Sequence, residues 1–327
     1  MYLAKFRIHG VGIDFVSNSK RIFHAVKSEL GHVVELRPQL RKDKVLYFWN
    51  GSGTVVPRPL KKLMRNSQAE KVTSKIRTVV DHGKLQMGIL AKEHFNQDEG
   101  LLVCLSLINF LVRFTLFRRI RAVGFHAAAC SWRNRGLLLP GASGAGKTTL
   151  SYFLAKAGFK HLSDEDSLLH NSSRGAEILG LQRRLRLEEL FFNSKEGQFL
   201  VNKYKMPQYR AFGEQGLCFD LRKLKPTAYQ RRAQLKSICI LENEQIETPE
   251  LSLLDGDQAL ASLLESFEAV AIDSNSNEPA QRIVTRYNAS GFQFVNDLIA
   301  NYPVYHLRYD IEKHDRLIPR MMKEILD

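Results

Sequence analysis

Near the start of the chain apolar residues alternate with polar ones at two places, Ala4-Phe6-Ile8 and Val11-Ile13-Phe15. Gly10 lies between them, a pattern that predicts a β-hairpin. The period then changes. Ile22, Phe23, Val26 and Leu30 recur at helical spacing behind Ser19, which is suited to cap a helix. Residues 45–49 predict a strand that runs into the turn cluster Asn50-Gly51-Ser52-Gly53. From 57 to 98 the chain is polar and mixed, with one further strand predicted over 85–90. Residues 101–112 are apolar except for Ser106 and Asn109, but Arg113 interrupts the run and Arg118 follows. The uncharged stretch falls short of the ~20 residues of a spanning helix, so a buried core helix starting near Glu99 is expected.

Beyond Gly124 the pattern tightens. Residues 125–131 predict a strand, Arg133-Asn134-Arg135-Gly136 a turn, and the apolar run at 137–139 a second, buried strand. Gly141-Ala142-Ser143-Gly144-Ala145-Gly146-Lys147-Thr148 follows at once and fits G-x-x-x-x-G-K-[ST]. Residues 149–157, from Thr149 on, predict a helix closed by Gly158. Strand, glycine loop and helix in this order are the context a phosphate-binding loop needs. The glycines let backbone N–H groups converge on one anion, Lys147 can reach the β and γ phosphates, and Thr148 can offer its hydroxyl to Mg²⁺. A strand at 159–162 then ends in Ser163-Asp164-Glu165-Asp166. Acidic residues at the C-terminal end of a strand beside a phosphate loop are placed to hold a metal or to accept a proton, whereas Asp166 is expected in solvent. Residues 174–236 give no clear period. Within them Arg183, Arg184 and Arg186 are candidates for a charge clamp on a phosphoryl group, with surface placement as the competing reading for each. Farther on, 237–241 and 304–309 predict strands, and 257–267, 291–300 and 316–326 predict helices.

Composition adds bounds to this pattern. The 327 residues, 44% hydrophobic and 25% charged, can bury a substantial core, and their length suggests about two domains. Residues 1–125 hold 22 of the 48 Lys and Arg but only 9 of the 34 Asp and Glu, so the basic excess is N-terminal. The cations are dispersed and form no aromatic-interleaved patch, which argues against a nucleic-acid surface. Cys104, Cys130, Cys218 and Cys239 are widely separated, so no zinc or disulfide framework is suggested. Charges inside the first seven residues argue against a signal peptide, and a cytoplasmic, non-membrane protein is expected.

The segment that joins His126 on the strand before the loop, the loop at 141–148, and Asp164-Glu165 seventeen residues beyond Lys147 resembles the catalytic domain of the HPr kinase/phosphorylase family. It is most similar to the HPr-kinase-related proteins. The resemblance is sharp over about 124–166 and extends in layout over 99–327. It implies a mixed α/β, PEP-carboxykinase-like P-loop kinase domain at 99–327, preceded by a small basic α+β module at 1–98 that would recognise an acceptor or partner. It also implies ATP, Mg²⁺ and phosphate transfer to a serine hydroxyl of a protein or peptide, with a homo-oligomer left open. Gly141 to Thr149 would bind the nucleotide, Lys147 would neutralise charge, and Thr148, Glu165 and Asp164 would share the metal. Asp164 would accept the hydroxyl proton, and His126 would orient the acceptor. Two departures narrow this. Glu165 stands where the family usually has Asp, and the Arg-Gly-Leu-Gly signature of bifunctional members is missing. A small-molecule kinase and a non-catalytic, nucleotide-responsive binding protein are the alternatives.

Overall fold

The computed structural model describes residues 1–30, 44–50, 56–66, 69–81, 86–92, 94–188, 191, 193–270 and 278–327. The turn expected at Gly51-Ser52-Gly53, and Leu85 at the head of an expected strand, lie outside the described residues. The architecture is mixed α+β, with several sheets of mixed strand direction. It divides into two units: Met1–Arg118 with Tyr209–Gln215, and Arg119–Gln208 with Gly216–Asp327.

The first unit begins with the expected hairpin, β1 (Tyr2–Ile8) and β2 (Val11–Ser17), antiparallel with Ile8 opposite Val11. His9 and Gly10 have φ of 47° and 78°, the two positive values that a tight hairpin turn requires. Helix α1 (Lys20–Leu30) is entered at Ser19, whose hydroxyl accepts from the Ile22 N–H at 3.3 Å. Then come β3 (Lys44–Asn50), α2 (Arg58–Asn66), β4 (Ala69–Lys71), β5 (Ile76–Asp81) and β6 (Gln86–Ala91). They complete a six-stranded sheet of order β1-β2-β3-β6-β5-β4. The sequence reading missed α2, β4 and β5. Leu60 and Leu63 alone anchor α2, against Trp49 and Val79, which is too few apolar residues to betray a helical period.

Helix α3 (Gln97–Ile120) has 24 residues. Among the described residues it alone is long and apolar enough to cross a membrane, and 67% of its most apolar stretch is buried. A side chain added at Gly100 would strike Phe95 and Ile22 of α1, so the start of α3 is packed into the first unit. The boundary therefore falls near residue 118 rather than at 98, and α3 does not open the second unit.

The second unit is built on β7 (Val123–Trp132), β8 (Arg135–Pro140), β9 (Lys160–Ser163), β10 (Asp166–Ser172), β11 (Gly175–Gly180), β15 (Arg232–Asn243), β16 (Glu250–Leu253) and β17 (Val304–Tyr309), in the order β11-β10-β7-β8-β15-β17-β16, with β9 on β7. Strands β8, β15 and β17 are mutually parallel. Strand β11 also pairs with the start of β15, so β11, β10, β7, β8 and β15 close on themselves. Strand β12 (Leu185–Glu188) belongs to a small sheet of order β12-β14-β13, with β13 at Gln208–Ala211 and β14 at Glu214–Phe219. The helices are α4 (Lys147–Lys156), α5 (Lys195–Tyr204), α6 (Gly256–Ser266), α7 (Glu278–Asn301) and α8 (Ile318–Glu324). Helix α7 starts well before the expected residue 291. Gly291 sits inside it because the ring of Phe267 fills the place of a side chain, the nearest ring atom lying 1.9 Å from where a Cβ would be.

The main core of this unit gathers Leu137 and Leu139 of β8, Leu150 and Leu154 of α4, Cys239 and Leu241 of β15, and Leu307 and Tyr309 of β17. Leu139, fully buried on β8 two residues before the glycine loop, holds the strand that delivers it. Leu139→Ala is expected to cost about 2–5 kcal/mol, read as a lowered urea midpoint without a change in slope.

Candidate functional site

The loop at 141–148 leaves the C-terminal end of β8, in a parallel bridge between Gly141 and Leu241. Gly144 and Gly146 have φ of 80° and 82°, a region that favours glycine. A Cβ on Gly146 would lie 2.7 Å from the Tyr309 hydroxyl, and one on Gly141 would lie 2.9 Å from the Leu241 carbonyl oxygen. The Tyr309 hydroxyl donates to the Ala145 carbonyl at 2.7 Å, so the end of β17 braces the loop from below. Gly146 caps α4 without any side-chain bond, and the first loop-to-helix bond runs from Leu150 N–H to Gly146 O at 2.8 Å. The N–H groups of Lys147, Thr148 and Thr149 therefore stand at a bare helix start, where an anion satisfies them. The exposed tip, Ala142, Ser143 and Gly144, leaves that start open to solvent.

Lys147 is only 7% exposed, and its ammonium donates to Gly141 O at 2.8 Å and to Ala142 O at 3.0 Å. Burial lowers its pKa, while Glu165, Asp164 and Glu188 pull the other way. Strand β9 ends at Ser163, whose hydroxyl meets that of Ser167 at 2.6 Å, and Ser167 in turn donates to Ala127 O at 2.8 Å. This buried clamp fixes the turn at Asp164 and Glu165, and the Glu165 carbonyl accepts from Ala127 N–H at 3.0 Å. Asp164 is buried, and its Oδ1 has no hydrogen-bond partner among the described residues. Burial, reinforced by Glu165, pushes its pKa up to about 7, against a hydrogen bond from Thr148 and the charges of Arg186 and Arg183. Glu165 is exposed.

His126 is exposed on β7, opposite Asp166 of β10. Its pKa is lowered by burial of part of the ring and by the Lys147 charge, with Glu165 and Asp166 opposing. The structure thus brings His126, Lys147, Thr148, Asp164 and Glu165 to one place. Asp166 corrects an expectation: it is partly buried and ion-paired with Arg183, because β10 begins at this residue instead of leaving it in a loop. The arginines also depart from a surface placement. Arg183 is 8% exposed, and Arg184 and Arg186 are half-buried. The sequence reading passed over Tyr309 and Glu188. Tyr309 reaches the loop from 164 residues away, so no local signal could mark it.

Among the described residues no group of three or more His, Cys, Asp or Glu is arranged to hold a metal by itself. The residues nevertheless fit Mg²⁺ delivered with a nucleotide, since such an ion takes one or two carboxylates and completes its shell with phosphate oxygens and water. The unpartnered Asp164 Oδ1 beside Thr148 is the donor such an ion would use.

A raised carboxyl pKa makes the ionised, folded form unfavourable. Its destabilising effect is absent below the unfolded value near 4, grows as pH rises, and is complete above about 7. Asp164→Asn, which mimics the neutral acid, is therefore expected to be more stable than the parent at pH 8, by an amount on the order of a few kcal/mol. The gap should close as the pH falls toward 4, and paired melting curves across this range check it.

No family model matches the chain, and no curated protein matches its sequence. Among solved structures the chain is similar to the Hpr(Ser) kinase/phosphatase from Coxiella burnetii, with 12% identity, 62% of this chain and 94% of that chain covered, and a TM-score of 0.32. A likeness this distant does not assign the chain to a family.

Proposed function

We propose that the chain is an ATP- and Mg²⁺-dependent kinase that transfers the γ-phosphate to a serine hydroxyl of a protein or peptide, on a PEP-carboxykinase-like P-loop domain. The observation that carries this reading is the bare start of α4 at Gly146, with Lys147 and a buried, unsatisfied Asp164 beside it. A phosphate chain satisfies the N–H groups and Lys147, and its metal satisfies Asp164. Magnesium, when bound, would be held by Thr148 with Glu165 and Asp164, and would neutralise charge on the β- and γ-phosphate oxygens. The acceptor oxygen bonds to the γ-phosphorus while the bond to the β–γ bridging oxygen breaks and ADP leaves. The hydroxyl proton passes to Asp164. His126, exposed at the rim, orients the acceptor.

One observation favours a variant of this scheme. The Thr148 hydrogen bond to Asp164 places that carboxylate beside the expected metal ligand, so that Asp164 would hold the ion and Glu165 would take the proton.

Incubation of purified protein with labelled ATP and either a protein extract or a metabolite pool tests the acceptor class, and label in protein is expected. Label in metabolites would mean a small-molecule kinase, and tight ATP binding with label in neither would mean a nucleotide-responsive binding protein. Lys147→Ala is expected to abolish ATP turnover, and unchanged transfer in this variant would sink the proposal. Asp164→Asn should spare Mg-ATP binding and remove transfer if Asp164 is the base. Loss of the magnesium dependence of binding would instead assign it to the metal.

A further inference from the structure

Strand β12 is a short alternation, Leu185-Arg186-Leu187-Glu188. Leu185 and Leu187 are fully buried against Tyr152, Phe153, Leu217 and Phe219, and the antiparallel pairing with β14 sets Leu185 opposite Phe219 and Leu187 opposite Leu217. Both leucines face one side, so the two-residue period of the strand sends Arg186 and Glu188 to the other. Both leucines pack on Tyr152 and Phe153 of α4, the helix that starts at the glycine loop. Glu188 acts electrostatically on Lys147, and Arg186 acts on Asp164.

Two buried polar atoms here are left unsatisfied: Nη2 of Arg186 and Oδ1 of Asp164. They carry opposite charge and lie close enough to influence each other, yet they form no ion pair among the described residues. The neighbouring Arg183 shows the contrast, since it is committed to Asp166. A buried guanidinium nitrogen without an acceptor costs free energy on the order of 1–3 kcal/mol, so such a group in a native site points to something that fills the gap. An anion for Arg186 together with a cation for Asp164 describes a metal-bound phosphoryl group.

We propose that Arg186 binds the terminal phosphate of the bound nucleoside triphosphate and stabilises its charge during transfer, which makes it a catalytic residue. This rests on the nucleotide-site reading above and deepens it. The loop N–H groups and Lys147 serve the β-phosphate side. Arg186 would serve the terminal phosphate, on the side of Asp164, whose charge it influences. Arg183, locked to Asp166, is the positioning partner that keeps the start of β10 and the approach to β12 together.

Titration calorimetry of the full chain with Mg²⁺ and either a non-hydrolysable ATP analogue or ADP tests this. Arg186→Ala is expected to weaken the triphosphate analogue by about 10- to 100-fold, with ADP changed by less than about twofold. Arg186→Lys should regain part of the discrimination. A folded Arg186→Ala protein, judged by an unchanged melting profile, that loses both nucleotides equally overturns the proposal, as does one that loses neither. If Arg186→Ala does not fold, the Arg186→Lys protein decides: it must show reduced discrimination between the two ligands. Parent protein that binds neither nucleotide removes the site itself, and this inference with it. Parent protein that binds but transfers to nothing removes the kinase reading and the catalytic role of Arg186 with it, and leaves only its binding of the terminal phosphate.

Discussion

A cation as deeply buried as Lys147 costs a fold dearly unless its charge is met by dipoles and opposite charges. The second unit is organised around meeting it. The carbonyls of Gly141 and Ala142 take its protons directly, and Asp164, Glu165 and Glu188 surround it with negative potential. Each of these groups is delivered by a different element: the end of β8, the turn after β9, and the end of β12. The cluster can exist only if all three are held in register, and the two apolar cores accomplish this. Helix α4 gives Leu150 and Leu154 to one core and Tyr152 and Phe153 to the other, so the helix that starts at Lys147 is gripped from both sides. The loop is thereby held in one arrangement by packing on both sides of the helix that follows it.

What could be read from the sequence follows from how local each signal was. The hairpin at the start, α1, β7, β8, α4 and β17 were legible because their apolar period or their glycine punctuation is contained within a dozen residues. The strand, glycine loop and helix around 141–148 were legible for the same reason. Strands β10, β11 and β12 were not, since the stretch that holds them mixes arginines with short apolar pairs, and the hairpin of β10 and β11 and the strand β12 are held by distant partners: β10 by β7, β11 by β15, β12 by β14. The helix at 278–301 was read short because Gly291 looks like a boundary until Phe267 is known to sit on it.

Within the site the same division holds. Lys147, Thr148, Asp164 and Glu165 were singled out by their spacing and His126 by the family resemblance, and the fold brings the five together. The environment that gives them their chemistry was invisible. The burial that raises the Asp164 pKa depends on the serine clamp between Ser163, Ser167 and Ala127, and the Tyr309 brace depends on a strand near the far end of the chain. The run Arg183-Arg184-Leu185-Arg186 was conspicuous in charge, but only strand pairing separates an arginine tied to Asp166 from one left without an acceptor.

The return of β11 to β15 has a consequence for how the sheet meets other chains. A sheet whose outer strand bonds back to its own middle offers no open row of backbone donors and acceptors there, and so no template on which a second chain can extend it. The opposite end of the order is β16, four residues long, with Glu250 bound to Arg308 of β17. Short length and fixed charge are the usual safeguards of an exposed border. These two borders of the sheet therefore offer little template for strand addition.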